Sequence, residues 1–200
     1  MPKASEQLER FLDGDGDKTL GGLIAMFEEK SFALLFILLL GVSALPLPTG
    51  GATHVFEVVA VLLALQLVAG RDEIWLPDRW RRLTLAGGSR EKFITKLMAA
   101  IRRLERHSRP RLAFLFHHRL SSVVFGLLVI AGTLGAFLAP PFTGLDTLPS
   151  LGVVLLSLAV LMEDAALAIV AVLVAALGVA LEIALGSALV DGIGHVRAPD

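Results

Sequence analysis

The chain has 200 residues with a net charge of −1, and 55% of them are hydrophobic. It contains no cysteine, which excludes disulfides, thiolate metal sites and cysteine nucleophiles. Two long stretches, residues 31–70 and 120–186, are apolar. Leu120–Ala139 alone has no ionisable side chain and would extend about 30 Å as a helix, the thickness of a bilayer's hydrocarbon core. Because a soluble domain of this size could not hide so much apolar surface, the sequence predicts an integral membrane protein.

The first 18 residues are polar and predict a flexible segment. Aspartates alternate with glycines over residues 13–17 and imitate the start of a calcium loop. The pattern then fails, since Lys18 stands at the glycine position and Ile24 at the position of the bidentate glutamate. We therefore expect no calcium site here, and no other metal or cofactor site in the chain.

The first repeating unit, about residues 19–70, is expected to hold a short interfacial helix near Leu20–Phe27 followed by a broken hairpin. Its first apolar helix covers Ser31–Leu45 and its second Ala52–Ala69. Proline and glycine interrupt the helix between them, because proline lacks the amide donor and clashes with the preceding turn. The interrupting residues are Pro46, Pro48, Gly50 and Gly51. The pattern leaves open whether this tip crosses the bilayer or stops within it.

Three polar residues lie on the second helix of this hairpin. His54 and Glu57 are three residues apart and project to one side of the helix. A charge in a membrane segment suggests function by default. The pair could cap the broken hairpin, form a proton or ion pathway, or contribute two metal ligands. Gln66 is expected to form a hydrogen bond between helices.

Residues 71–119 carry 13 Lys and Arg against 5 Asp and Glu, and the positive-inside rule places them in the cytoplasm. The first part predicts an interfacial anchor of aromatic rings beside cations for anionic lipid headgroups, formed by Trp75, Trp80, Arg81 and Arg82. The helix predicted over 91–104 has an apolar stripe that should face lipid, with Arg102 and Arg103 mostly off that stripe. Nucleic-acid binding is disfavoured, because the block lies between membrane segments.

The second unit, about residues 112–164, repeats this order. Leu120–Ala139 ends at Pro140 and Pro141, and a loop containing Gly144 follows. The next apolar run, Leu151–Leu185, is too long for one span, so Glu163-Asp164 should mark a turn before a last helix at about 165–186. Glu182 in that helix should either reach the interface or pair inside a bundle. Residues 187–200 form a Gly-rich tail.

Shifting residues 31–65 by 93 positions aligns the two apolar stretches, including Pro48 with Pro141 and Gly51 with Gly144. The aligned prolines and glycines after an apolar helix favour a duplication. The sequence therefore predicts an all-α, polytopic membrane domain over residues 19–186, made of two Pro/Gly-broken helical hairpins plus interfacial amphipathic helices. Such interrupted segments in two halves are typical of a transporter's substrate site, although they are also compatible with simple tight turns.

Several strings resemble the ExoD family of bacterial exopolysaccharide-synthesis proteins, over about residues 19–186. They are Leu45-Pro46-Leu47-Pro48-Thr49-Gly50, Ala64-Leu65-Gln66-Leu67, Gly70-Arg71, Trp75-Leu76-Pro77, Leu104-Glu105-Arg106 and Arg109-Pro110-Arg111-Leu112. The resemblance implies a multi-pass inner-membrane protein needed for normal exopolysaccharide production, and alkali sensitivity when it is missing. It supplies no catalytic residues. The chain departs from the family pattern at Glu163-Asp164-Ala165, where Arg-Asp-Gly is expected.

Two functions remain open at this stage. The first is a small, non-enzymatic transporter or transport accessory for exopolysaccharide synthesis or export. It would act as a homodimer, because one monomer offers little interior for a solute path. The second is a scaffold whose basic segment recruits polysaccharide-assembly proteins. A membrane-embedded enzyme ranks third, since no convergent acid–base pair can be identified.

Overall fold

The computed structural model describes residues 4–14, 18–27, 30–45, 53–71, 73–85, 88–106, 116, 118–139 and 144–197. Within these ranges the chain is all-helical, with one isolated antiparallel bridge between Thr19 and Thr84. The helices are α1 Ala4–Asp13, α2 Leu20–Phe27, α3 Ser31–Leu40, α4 His54–Val68, α5 Asp78–Arg81, α6 Gly88–Glu105, α7 Arg119–Leu138, α8 Thr147–Met162 and α9 Ala165–Arg197. The all-α prediction is confirmed.

Four apolar helices, α3, α4, α7 and α8, form the centre of the molecule. α3 and α7 each pack against both α4 and α8, and α9 lies along α8. Small residues let the backbones approach closely. A Cβ on Gly126 of α7 would meet Val68 of α4, and one on Gly152 of α8 would meet the backbone of Ala175 of α9.

The turn predicted at Glu163-Asp164 is confirmed. Glu163 ends α8 in the left-handed region, with φ of 54°. Asp164 then accepts hydrogen bonds at Oδ1 from the amides of Ala166 and Leu167, at 3.0 and 3.4 Å. A carboxylate in this position satisfies amide donors that the first turn of a helix leaves without intrahelical partners. α9 begins there and continues to Arg197, beyond the expected end near 186, since no proline interrupts the chain before residue 199.

The N-terminal segment contains a helix where the composition predicts flexibility. Leu8 and Phe11 of α1 are buried, and α1 packs against α6. On α6, Ile101 is 1% exposed, so the prediction that its apolar stripe faces lipid is wrong at this residue. The stripe has a protein partner because α1 is itself amphipathic, and two amphipathic helices bury their apolar faces against each other.

Two helices are long and apolar enough to cross a membrane. They are α7, with 20 residues, and Ala165–Leu185 of α9, with 21. α3, α4 and α8 are shorter. At about 1.5 Å per residue, the 16 residues of α8 extend roughly 24 Å, less than the apolar thickness of a bilayer.

Candidate functional site

The predicted site lies where α3 and α7 end and α4 and α8 begin, which we call the hairpin-tip end. The ring of His54, in the first turn of α4, lies 5.0 Å from the ring of Phe137 in the last turn of α7. On the other side of α7, a Cβ added to Gly132 would contact Val153 near the start of α8. The last two turns of α7 thus adjoin the first turn of α4 and the first half of α8.

Glu57 is the centre of this end of the molecule. The residue is 0% exposed. Its Oε2 lies 2.7 Å from Nδ1 of His54, and its Oε1 accepts a 3.3 Å hydrogen bond from the hydroxyl of Ser43, just beyond α3. A buried carboxylate must be paired or protonated, because an isolated charge is costly away from water. The cluster Ser43–His54–Glu57 provides that pairing.

Two ionisable groups of this cluster lie within hydrogen-bond distance of each other. The imidazole Nδ1 of His54 and the carboxylate Oε2 of Glu57 are 2.7 Å apart. The His54 side chain is 31% exposed while that of Glu57 is 0% exposed. The imidazole therefore connects a buried carboxylate to the surroundings of the hairpin tips, the arrangement a proton relay needs.

Three roles were considered for the pair: a cap, a proton or ion pathway, and two metal ligands. Thr53 precedes α4 without a side-chain capping bond, and the Glu57 carboxylate bonds to the side chains of Ser43 and His54. Among the described residues, no group of three or more His, Asp or Glu is placed to hold a metal ion. Residues 46–52, which a cap would serve, lie outside the described ranges, and the role of the pair stays a prediction.

Two further polar side chains lie near this end and were missed from the sequence. Thr133 and Ser150 are buried on α7 and α8, and neither hydroxyl has a hydrogen-bond partner among the described residues. Ser43 was missed as well. All three are small hydroxyl residues in or beside apolar helices, and a search for polar residues within the apolar runs could have found them.

Glu182 points toward the bundle. Its Oε1 is buried without a hydrogen-bond partner among the described residues. Its Oε2 lies 3.8 Å from the position that a Cβ on Gly135 of α7 would occupy. The second expectation for this residue was a partner inside the bundle, and Oε1 has none among the described residues.

Gln66 is not part of this cluster. It lies at the other end of α4, about 14 Å along the helix axis from Glu57 at 1.5 Å per residue. Its side chain accepts a bond from the amide of Trp75 and donates to the carbonyl of the same residue, at 2.9 and 3.2 Å. Gln66 thus binds the segment that follows α4, whereas an interhelical partner was expected.

The interrupting residues of the predicted site fall mostly outside the described ranges. These are Pro46, Pro48, Gly50, Gly51, Pro140 and Pro141. Gly144 is described: its φ is +69° and a Cβ there would meet no atom within 4 Å. The backbone conformation therefore explains why this residue is glycine, since a left-handed φ is unfavourable for other residues.

The predicted interfacial residues separate into two groups. Trp75 is 64% exposed, Arg81 and Arg82 are also exposed, and Trp80 is half-buried. Arg102 instead forms an ion pair with Glu9 of α1, and its side chain remains 42% exposed. Arg103 is exposed and also has an interaction partner. The side chains around α5 are thus better placed for lipid headgroups than Arg102.

Comparisons with known proteins agree with the resemblance in the motifs. The family model described as "Exopolysaccharide synthesis, ExoD" matches residues 4–184. The chain is similar to the uncharacterized protein slr1875 of Synechocystis sp., with 30% identity over 76% of this chain and 73% of that protein. It is also similar to Protein ExoD of Rhizobium meliloti, with 33% identity over 73% of this chain and 61% of that protein. No solved structure matches. The chain therefore belongs to the ExoD family, which is linked to exopolysaccharide synthesis.

Proposed function

We propose that this chain is a multi-pass protein of the bacterial inner membrane that acts in exopolysaccharide synthesis or export as a small, non-enzymatic transporter or transport accessory. The observation that carries the proposal is the fully buried carboxylate of Glu57, paired with the half-exposed imidazole of His54. Ionisable groups held inside apolar helices mark proton and ion pathways in membrane proteins. In this proposal the pair takes up and releases a proton during transport.

The exposed surface supports a lipid environment. In α9, 11% of the most apolar 18-residue stretch is buried inside the molecule, and in α7 the share is 39%. The core helix of a soluble protein is mostly buried. Large apolar side chains on α9 stay exposed, among them Ile169, Leu173 and Leu177 at 63, 63 and 56%. Apolar patches of this extent mark protein or membrane contacts. Residues 71–119 would face the cytoplasm and anionic lipids.

Helix boundaries support the proposed duplication. A shift of 93 residues carries α4 onto 147–161, and α8 covers Thr147–Met162. The same shift carries α3 onto 124–133, within α7. The helix contacts follow the same shift, which relates α3 to α7 and α4 to α8. Accordingly, α4 packs against α7, and α8 packs against α3. Two such units packed against each other resemble the repeat architecture of transporters. A homodimer would enlarge the interior available to a solute.

Glu57→Gln tests the proposed function, because it keeps the shape of the side chain while removing its ability to ionise. We expect exopolysaccharide output to be lost, because the carboxylate can no longer take up or release a proton. His54→Ala should have a similar effect. Glu73→Gln is the matched control, since Glu73 is exposed outside the helices. Normal output from both cluster variants, at normal membrane abundance, would contradict the proposal.

A scaffold function is the second candidate, favoured by the exposed cations Arg79, Arg81 and Arg82 of the α5 segment. It predicts that reversing exposed charges abolishes output while Glu57→Gln has no effect. Arg81→Glu/Arg82→Glu is the cleaner reversal, because Arg102→Glu would also break the ion pair with Glu9 and Arg103 has an interaction partner of its own. The two candidates therefore predict opposite outcomes for the same pair of variants.

A further inference from the structure

A second polar feature lies at the end of the bundle opposite the hairpin tips. A cleft of about 420 Å³ opens where α3 and α7 begin and α4 and α8 end. This volume is in the range of small-molecule sites. Among the described residues, the cations that line it are Lys30, Arg71 and Arg119, and the carboxylate that lines it is Glu163. We refer to it as the basic cleft.

The three cations are not equivalent. Lys30 is already engaged, since its Nζ donates to Oε1 of Glu163 at 2.8 Å and to the carbonyl of Leu161 at 3.1 Å. Neither Arg71 nor Arg119 forms an ion pair with a carboxylate within the described parts of the chain. The basic cleft therefore presents two guanidinium groups whose charge is not neutralised by the residues described around them.

Local structure places one of these groups in the cleft. Gly70 has a φ of +80°, and a Cβ at this residue would collide with the guanidinium of Arg119. Glycine thus permits both the backbone turn after α4 and the close approach of Arg119. Because Arg71 directly follows Gly70, this turn brings the two arginines to the same cleft. Arg119 is also the first residue of α7, where the helix dipole favours an anion.

The other lining of the basic cleft is mostly apolar, with the hydroxyl residue Ser122 among it. Phe32, Leu67 and Phe125 line it together with the cations, and the helices that carry them continue as apolar surfaces. Guanidinium groups match phosphate oxygens in geometry and charge. The combination fits a phosphate group attached to an apolar tail better than it fits a free anion.

We propose that the basic cleft binds the phosphate group of an amphiphile, with Arg71 and Arg119 as the phosphate ligands and the apolar helices in contact with its tail. The amphiphile is either an isoprenoid phosphate or a phospholipid. This site is separate from the Glu57 cluster and does not depend on the transport proposal. Binding requires no proton transfer, so its test leaves His54 and Glu57 unchanged.

The test is calorimetric titration of the purified full-length protein in an uncharged detergent at low salt. The probes are geranylgeranyl phosphate, a short-chain phosphatidylglycerol, the uncharged alcohol geranylgeraniol and inorganic phosphate. We expect a phosphate amphiphile to bind far more tightly than the alcohol or inorganic phosphate, and to bind more weakly as salt screens the charges. The tighter of the two amphiphiles identifies the source of the phosphate.

Arg71→Gln/Arg119→Gln should weaken that binding by at least about tenfold, the effect of losing charge-assisted bonds worth 1.4 kcal/mol or more. Arg10→Gln/Lys18→Gln removes two positive charges outside both the cleft and the α5 segment and should leave binding unchanged. If the first double variant does not fold, the two single variants replace it. Gly70→Ala should weaken binding while keeping both cations. Equal binding by cleft and control variants, equal binding of the alcohol, tighter binding of inorganic phosphate, or no binding by the native protein would each overturn the proposal.

Discussion

Removing His54 tests whether Glu57 depends on its partner for stability. In His54→Ala, Oε2 of a carboxylate that is 0% exposed loses its 2.7 Å partner, and Ser43 remains on the other oxygen at 3.3 Å. A buried acceptor without a partner costs about 1–3 kcal/mol. Loss of the ring contact with Phe137 adds about 0.5–1.5 kcal/mol. We expect His54→Ala to lower the free energy of unfolding by about 1.5–4.5 kcal/mol.

A double-mutant cycle separates these two costs. Glu57→Leu replaces the carboxylate by an apolar side chain of similar size, so that His54→Ala made in that background leaves no orphaned acceptor at this site. The second substitution should then cost only the ring contact, and the coupling energy between the two residues should be at least about 1 kcal/mol. The assay is unfolding by sodium dodecyl sulfate in mixed micelles, followed by circular dichroism. Additive effects would show that the 2.7 Å contact does not stabilise the fold, and the proton-holding pair would lose its structural basis.

Substitutions at two further positions test the helix packing and the turn before α9. Gly152→Val should disrupt the seam between α8 and α9, because a Cβ there would lie 2.6 Å from the backbone of Ala175; we expect a loss of at least about 2 kcal/mol in the same unfolding assay, in line with overpacked cores. An unfolding curve in sodium dodecyl sulfate that is unchanged from that of the native chain would refute this packing. Asp164→Ala should cost about 1 kcal/mol through loss of the cap on α9, while Asp164→Asn should restore most of it. Equal destabilisation by both substitutions would exclude a capping role.

Local chemistry explains which parts of the fold could be read from the sequence. The boundary between α8 and α9 was predictable, since two acidic residues in a long apolar run favour a turn and Asp164 is a strong capping residue. The all-α class was predictable too, since long apolar runs without strand alternation favour helices. These signals depend only on neighbours along the chain.

Partners chosen in three dimensions were not predictable in the same way. Amphipathic α6 could bury its stripe in lipid or against protein, and its sequence pattern is the same in both cases. The structure places Ile101 against protein because α1 supplies a second apolar face. Gln66 forms hydrogen bonds with the backbone of Trp75. The pattern predicted a hydrogen bond for its amide, but on another helix. In the candidate site, the spacing of His54 and Glu57 predicted their contact, whereas Ser43 is joined to them only by folding.

Two helices, α4 and α7, connect the two proposed sites. α4 begins with the His54–Glu57 pair and ends just before Gly70 and Arg71, and its 15 residues extend about 22 Å at 1.5 Å per residue. α7 runs between the same two ends, from Arg119 in the basic cleft to Phe137 against His54. Because α4 and α7 pack along each other through Gly126, a shift of α4 would alter both ends together. An amphiphile bound at Arg71 and Arg119 could therefore change the environment of Glu57 without touching it, provided that its affinity differs between two positions of α4.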